Sequence, residues 1–281
     1  MSQSRENARL HKNNKKVGDD CMKFLLTNDD GISSPGLAAI VDVMKQYGDV
    51  FVVCPDRDNS AVGHSITFRE PLKVLETNVF GEDVTAWTVS GTPADCVKMA
   101  LGVLVPNEID FVVSGMNIGS NVGRDSYYSG TIGAAREASF FGIPAVAVSL
   151  DIDDAQHMDF SASKKLFNTT MEVILKNQFS PNLLLNINIP NREEAQCKGI
   201  RFAELDFGIQ RYMYIEERNP SGEVVYWLKG RPSQLIFDAP EGDFTLLQDG
   251  YITVTPLGIQ LTDRGNKVEV EHWFNEDLIF Q

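Results

Sequence analysis

Two adjacent carboxylates, Asp29 and Asp30, close the stretch LLTNDDG with no lysine or arginine beside them. Neighbouring like charges repel unless a cation lies between or near them. Oxygen donors without a nearby Cys or His favour a hard divalent ion, Mg²⁺ or Mn²⁺, over zinc. Successive extended residues point to opposite sides, but a strand-to-loop turn lets both carboxylates reach one ion, directly or through water. The plainer alternative is an Asx turn capping the next helix, with Asp30 as its former.

The segment SGMNIGSNVGRDSYYSGTIGAARE adds the uncharged donors Asn117 and Asn121, and places Tyr128-Ser129-Gly130-Thr131 directly before a helical run. Free backbone N–H groups and the positive end of the helix dipole make such an N-terminus a phosphate cradle. GxxxxGK[ST] is missing, and GSNVGRD is not a GxGxxG following a strand, so motor-ATPase and dinucleotide-dehydrogenase readings lose ground. Histidine is the commonest side chain for proton transfer, so His64, in the loop after Ser60, is a candidate proton donor; a plain loop histidine is the alternative.

These groups need a scaffold that gathers them. KFLLT, DVFVVCP, WTV, DFVVSG, IPAVAVSL and LLLNINIP read as strands. SSPGLAAIVDVMKQYG, PADCVKMALGVLV, TIGAAREASFFG and KLFNTTMEVILKN read as helices between them. In the first helix Ser33 or Ser34 suits the cap, Pro35 the first turn and Gly48 the stop. The alternation predicts a Rossmann-like three-layer α/β/α fold with a mostly parallel sheet. Ligands in such sheets sit beyond the C-terminal strand ends, where each polar cluster here falls: Asn28, Asp29, Asp30 and Gly31; Asp56, Arg57, Asn59 and Ser60; Ser90, Gly91 and Thr92; and Ser114, Gly115 and Asn117. Asp, Asn, Ser and Gly are also ordinary loop residues, so the argument rests on several clusters sharing one edge.

Three regions follow. Residues 1–21 form a polar leader or extension expected to be disordered, since they offer few apolar groups to bury. Residues 22–198 form the Rossmann-like catalytic core. Residues 199–281, with IRFAELDF, EVVYWLKG and YITVTPLGIQLT between turn residues, read as C-terminal β-hairpins or extended arms. A chain of 281 residues with 43% apolar composition can bury a sizeable core. Its net charge of −14 argues against a nucleic-acid duplex or an anionic membrane as partner, and no apolar run is long enough to span a bilayer, so a cytoplasmic setting is expected. Four scattered cysteines without a CxxC pair suggest reduced, structural thiols.

The segments LLTNDDGISSPGL, VVCPDRDNSAVGHSIT, VSGTPADCVKMAL, FVVSGMNIGSNVG, YYSGTIGAAREASFFGIPAVAVS, LLLNINIP and GYITVTPLGIQLTD together resemble the SurE (stationary-phase survival protein E) family of metal-dependent 5′-nucleotidases. The resemblance implies hydrolysis of nucleoside 5′-monophosphates to nucleoside and phosphate, with 3′-nucleotides and short polyphosphate as further candidate substrates. It implies one divalent metal ion per subunit, Mg²⁺ or Mn²⁺, on Asp29, Asp30, Ser60 and Asn117. It places Asn28, Asn121, Ser129, Gly130 and Thr131 along the phosphate pocket. It further implies a homodimer or homotetramer joined by exchanged C-terminal arms. One departure is GDFTLLQDG, where Asp243 lacks the threonine the family commonly places before it. A haloacid-dehalogenase-type phosphatase is rejected, because its DxDx[TV] loop is absent. A noncatalytic nucleotide- or metal-binding oligomer uses the same residues and stays open.

Overall fold

The computed structural model describes residues 21–106, 108–152, 159–208, 211–230, 241–263, 265–266 and 271–273. The expectation of a disordered leader therefore lies outside the described residues, apart from Cys21. Eleven strands are described: β1 (Met22–Thr27), β2 (Gly48–Pro55), β3 (Val74–Thr77), β4 (Thr85–Val89), β5 (Phe111–Ile118), β6 (Ala145–Asp151), β7 (Leu184–Pro190), β8 (Ile200–Phe202), β9 (Tyr212–Arg218), β10 (Val224–Gly230) and β11 (Ile252–Pro256). Among the described residues the longer α-helices are α1 (Pro35–Met44), α2 (Pro93–Met99), α3 (Gly130–Phe140), α4 (Ser161–Leu175) and α5 (Asp243–Gln248).

Nine strands form one sheet in the order β3-β4-β2-β1-β5-β6-β7-β11-β8. From β4 to β7 every pairing is parallel; β3 and β11 run antiparallel to their neighbours β4 and β7. The chain moves outward from β1 to β2 and β4 on one side, then crosses to β5 on the other. β1 and β5 thus flank the point where strand order reverses, and the crevice beyond their carboxyl ends is where such sheets bind ligands.

Alternating side chains of the buried strands feed two cores. Phe24, Leu26, Val52, Phe111 and Val113 pack with Leu37, Ile40 and Met44 of α1 and with Phe167 and Met171 of α4. Leu25, Val53 and Val112 face the other way, onto Val97 of α2 and Ile132, Ala135 and Ala138 of α3. The three-layer α/β/α expectation holds, with helices on both faces.

Three details differ from the sequence reading. Gly48 does not stop α1, which ends at Met44; it opens β2 opposite Met22, whose carbonyl oxygen would lie 2.0 Å from an added Cβ. Ser34 stands at the α1 cap position but makes no capping bond; its hydroxyl donates to Asp30 Oδ2 at 3.4 Å. The C-terminal third is split. β8 and β11 extend the main sheet, and only β9 and β10 form a separate antiparallel hairpin. Short extended segments join an existing edge when their register and burial allow, which a linear pattern does not reveal.

Gly36 shows how tightly the site's scaffold is assembled. A Cβ there would lie 2.0 Å from Met116 O of β5, so α1 seats backbone on backbone against the strand that carries Asn117. Gly36→Ala should lower unfolding free energy by about 1–3 kcal/mol, as overpacking does. Gly258→Ala, where nothing lies within 4 Å, should stay within about 0.5 kcal/mol of the parent. Urea unfolding of both variants measures the contrast.

Candidate functional site

Asp29 follows the last residue of β1 by two positions and is 4% exposed. Its Oδ1 accepts from the Thr131 hydroxyl at 2.5 Å, and the Thr131 backbone N–H also donates to it. Burial still holds the Asp29 carboxyl above the usual range. Asp30 turns toward β5, accepting from the Ile118 backbone N–H and the Ser34 hydroxyl. Burial first, then the charges of Asp29 and Asp58, raise its pKa to about 7.

Asp58 is the residue the sequence reading passed over. It raises both carboxylates electrostatically, and its own Oδ1 accepts from the Ser60 backbone N–H at 2.7 Å and the Ser60 hydroxyl at 2.6 Å. The loop carrying both is tied to β1 by Asn59 N–H donating to Asp29 O at 2.8 Å. Asn117, near the end of β5, donates its amide to Gly119 O at 2.7 Å, which leaves its carbonyl oxygen as a donor for a cation.

No lysine, arginine or histidine forms an ion pair with Asp29, Asp30 or Asp58 among the described residues. Two adjacent carboxylates, both with raised pKa values, under the added charge of Asp58 and with no ion-pair partner among the described residues, fit a hard cation, and the hydroxyl of Ser60 and amide oxygen of Asn117 fit the same donor class. Groups of three or more His, Cys, Asp or Glu in metal-binding geometry are absent among the described residues. Asp29, Asp30, Ser60 and Asn117 supply only two side chains of those types, so any ion here rests on neutral oxygen donors and water for the rest of its shell.

The N-terminus of α3 adjoins the pair. Ser129 caps it, its hydroxyl accepting from Ile132 N–H at 3.1 Å. Gly130 lets it come close: a Cβ there would fall 2.9 Å from Asp29 Cβ and 3.0 Å from Asp29 Oδ2. The expected cradle residues Ser129, Gly130 and Thr131 are thus beside Asp29, although Thr131 here is occupied in holding that carboxylate.

The two asparagines assigned to the pocket serve the scaffold in this structure. Asn28 Nδ2 donates to Gly31 O and accepts from Gly31 N–H through Oδ1, so Asn28, not Asp30, forms the turn. Asn121 is a node of a buried network. Its N–H donates to Asn188 Oδ1, its Nδ2 donates to Ser149 Oγ, and its carbonyl accepts from Asn186 and Asn188. Those partners lie in strands that looked purely structural; polar residues inside LLLNINIP were the available signal. Asp243, the departure noted above, is buried and clips the 121–126 loop by accepting from Gly123 N–H, while also accepting from Asp206 N–H and Phe244 N–H. Arg124 is engaged with Phe207 O.

His64 goes elsewhere. Its Nε2 is hydrogen-bonded with Glu137 Oε2 at 2.7 Å and its ring stacks on Phe140 at 5.4 Å, both well along α3 from the N-terminus. A separate cavity of about 260 Å³ beyond β6 and β7, lined by Leu150, Asp159, Ser163, Pro190, Asn191 and Arg192, contains neither Asp29 nor Asp30.

A metal-free pH titration tests this electrostatic picture. The folded-state pKa of Asp30 is raised, so its contribution to stability is fully present below the ordinary carboxylate value and is lost as pH rises through about 7. Metal-free wild type should therefore lose melting temperature relative to Asp30→Asn between about pH 5 and about pH 8, and Mn²⁺ should restore more at the higher pH. Parallel melting curves across that range would refute it.

The model of the family described as Survival protein SurE matches residues 24–212. A protein named 5′-nucleotidase SurE from Pelotomaculum thermopropionicum is 41% identical over 244 residues, covering 86% of this chain and 91% of that one. Another of that name, from a Cyanothece species, is 38% identical over 274 residues, 92% of this chain and 99% of its own length. The crystal structure of the SurE protein from Aquifex aeolicus superimposes with a TM-score of 0.77 at 34% identity, covering 90% of this chain and 100% of that one. The family model, the relatives and the shared fold agree over most of the sequence, and the chain belongs to the SurE family.

Proposed function

We propose that this protein is a metal-dependent phosphomonoesterase that hydrolyses nucleoside 5′-monophosphates to nucleoside and phosphate. The observation that carries the reading is a juxtaposition. A carboxylate pair without a counter-charge among the described residues, its buried member Asp29 against the N-terminus of α3, joins a place that attracts a cation to one that favours an anion. A cation site and an anion site in contact are what a metal-bound phosphate monoester requires. Relatives named 5′-nucleotidase SurE, similar over most of the chain, point the substrate toward nucleotides.

Asp29, Asp30, Ser60 and Asn117 would hold one Mg²⁺ or Mn²⁺ per subunit. Bound there, the ion supplies Lewis-acid charge to a phosphoryl oxygen and acidifies a water. The protein's own part is positioning. Thr131 fixes the Asp29 carboxylate through hydroxyl and amide. The α3 N-terminus, with Gly130 at its first turn, offsets charge on the equatorial oxygens as it builds in the transition state. Asn121 and its partners brace the loop beneath.

The β9–β10 hairpin fits the proposed dimer or tetramer. Tyr214, Tyr226, Trp227 and Leu228 are 70%, 61%, 57% and 57% exposed, a concentration of apolar surface suited to a second copy. No described helix is long and apolar enough to cross a membrane.

The test is phosphate release from nucleoside 5′- and 3′-monophosphates and short polyphosphate, with EDTA, Mg²⁺ or Mn²⁺. Wild type should turn over 5′-monophosphates only with metal, and Asp29→Asn should lose about a thousandfold or more of kcat/KM, a loss typical of removing a principal electrostatic group. A folded wild type that binds nucleotide and metal but releases no phosphate would instead support a binding module.

A further inference from the structure

The expectation that His64 delivers a proton meets a geometric obstacle. The backbone of the loop reaches α3 at Gly133, where an added Cβ would fall 2.5 Å from Gly63 O and 3.0 Å from His64 Cα. From that level the imidazole runs toward the C-terminal end of the helix, to Glu137 and Phe140. At 1.5 Å per residue, Glu137 lies ~10 Å along the axis from Gly130, where the anion site is. The ring thus leads away from the phosphate position. Glu137 is 6% exposed; burial opposes its charge, yet hydrogen bonds from His64 and Lys98 outweigh burial and hold its carboxyl below the usual range. An ionised Glu137 can only accept, so the Nε2 proton is committed to it.

Glu137 gathers three elements. His64 reaches it from the loop, Lys98 Nζ of α2 donates to its Oε1 at 3.1 Å, and it stands on α3 itself. Around this knot the loop is pinned elsewhere by backbone bonds: Asn59 N–H to Asp29 O, and Gly63 N–H to Tyr128 O, each 2.8 Å. Ser60 hangs between those two ties, and Ala61 just beyond it adopts a left-handed φ of 58°, a conformation that side-chain-bearing residues hold only under constraint.

We propose that His64 is a positioning residue: through Glu137 and Lys98 it fastens the loop carrying Ser60 to the helix whose N-terminus faces the carboxylate pair. Its effect on the reaction, on the reading that this is a metal-dependent phosphomonoesterase, is to keep the Ser60 oxygen in place for the cation. It does not exchange a proton with substrate.

The experiment measures Mn²⁺ binding to the apoprotein by titration calorimetry, amide hydrogen exchange over residues 59–64, and the pH profile of kcat at saturating Mn²⁺. His64→Phe keeps a ring on Phe140 and removes the donor; His64→Gln keeps a donor for Glu137. Exposed Lys98→Met is a second probe that leaves the loop sequence intact. His64→Phe should bind Mn²⁺ about tenfold more weakly, as loss of an outer supporting contact does, and exchange the loop amides faster. Its kcat at saturating Mn²⁺ should stay within about threefold of wild type, with the pH profile unmoved; His64→Gln should recover wild-type binding, and Lys98→Met should fall between. Unchanged binding and exchange in His64→Phe would overturn the proposal. So would a loss of about a hundredfold in kcat in both His64 variants with the basic limb of the profile gone, the signature of a general acid. Absence of phosphate release from wild type would defeat the phosphomonoesterase reading alone, because binding and exchange still judge the clamp.

Discussion

The arrangement of this molecule turns on an electrostatic demand that the chain does not meet internally. Asp29 and Asp30 are adjacent, largely buried at the end of the central strand, and joined by the charge of Asp58. In a medium of low polarisability each added anion raises the cost of the others, and removing water makes that cost larger. Protonation relieves it at low pH, and a cation bound there would relieve it at neutral pH. The chain itself supplies partial relief through dipoles: Thr131 and the α3 N-terminus toward Asp29, Ile118 N–H and Ser34 toward Asp30. Dipoles solvate the carboxylates without cancelling their charge, so attraction for a cation survives folding.

That demand is tolerable because the surroundings are over-determined. β1 and β5 lie side by side in the sheet interior, held through both faces by the two cores. The loops they deliver are fixed by contacts that permit almost no adjustment. Gly36 against Met116, Gly130 against Asp29 and Gly133 against Gly63 each bring backbone closer than any side chain would allow. The Asn121 network adds a polar floor, in which buried amides of β7 satisfy the loop's backbone groups. Stability given up at the carboxylates is offset by packing and hydrogen bonds a few residues away, as is usual for sites that store unfavourable electrostatics.

The legible part of the fold was the part written in local patterns. Runs such as KFLLT and DFVV announce buried strands because both neighbours and both faces are apolar, and the polar residues that end them mark the rim where Asp29, Asp30 and Asn117 gather. What stayed hidden depends on contacts between distant positions. Asp58 lies in the same loop as Ser60, yet its importance comes from how the loop folds over β1. Glu137 reads as an ordinary helix residue until His64 meets it from 73 residues away, and Lys98 until it reaches Glu137 across 39. Asn186 and Asn188 alternate with apolar residues as a half-buried strand would show, and only the structure reveals that Asn121 is their partner. β8 and β11 are too short to declare, from pattern alone, that they extend the sheet and do not project from it.

The same logic reconciles a chain of net charge −14 with the anionic ligand proposed for it. Charges spread over the surface act through solvent and salt, which attenuates them over about 8–10 Å. Groups inside the rim act at contact distance in a poorly screened environment, where a divalent cation reverses the sign of the local field. The acidic surface therefore discourages long polyanions, which must lie along many surface charges at once, while on the proposed reading a single phosphate entering the rim would meet a bound cation and the helix N-terminus first. The one charge distribution thus acts differently at two length scales: repulsion along the surface and, on the proposed reading, attraction of a phosphate group at the rim.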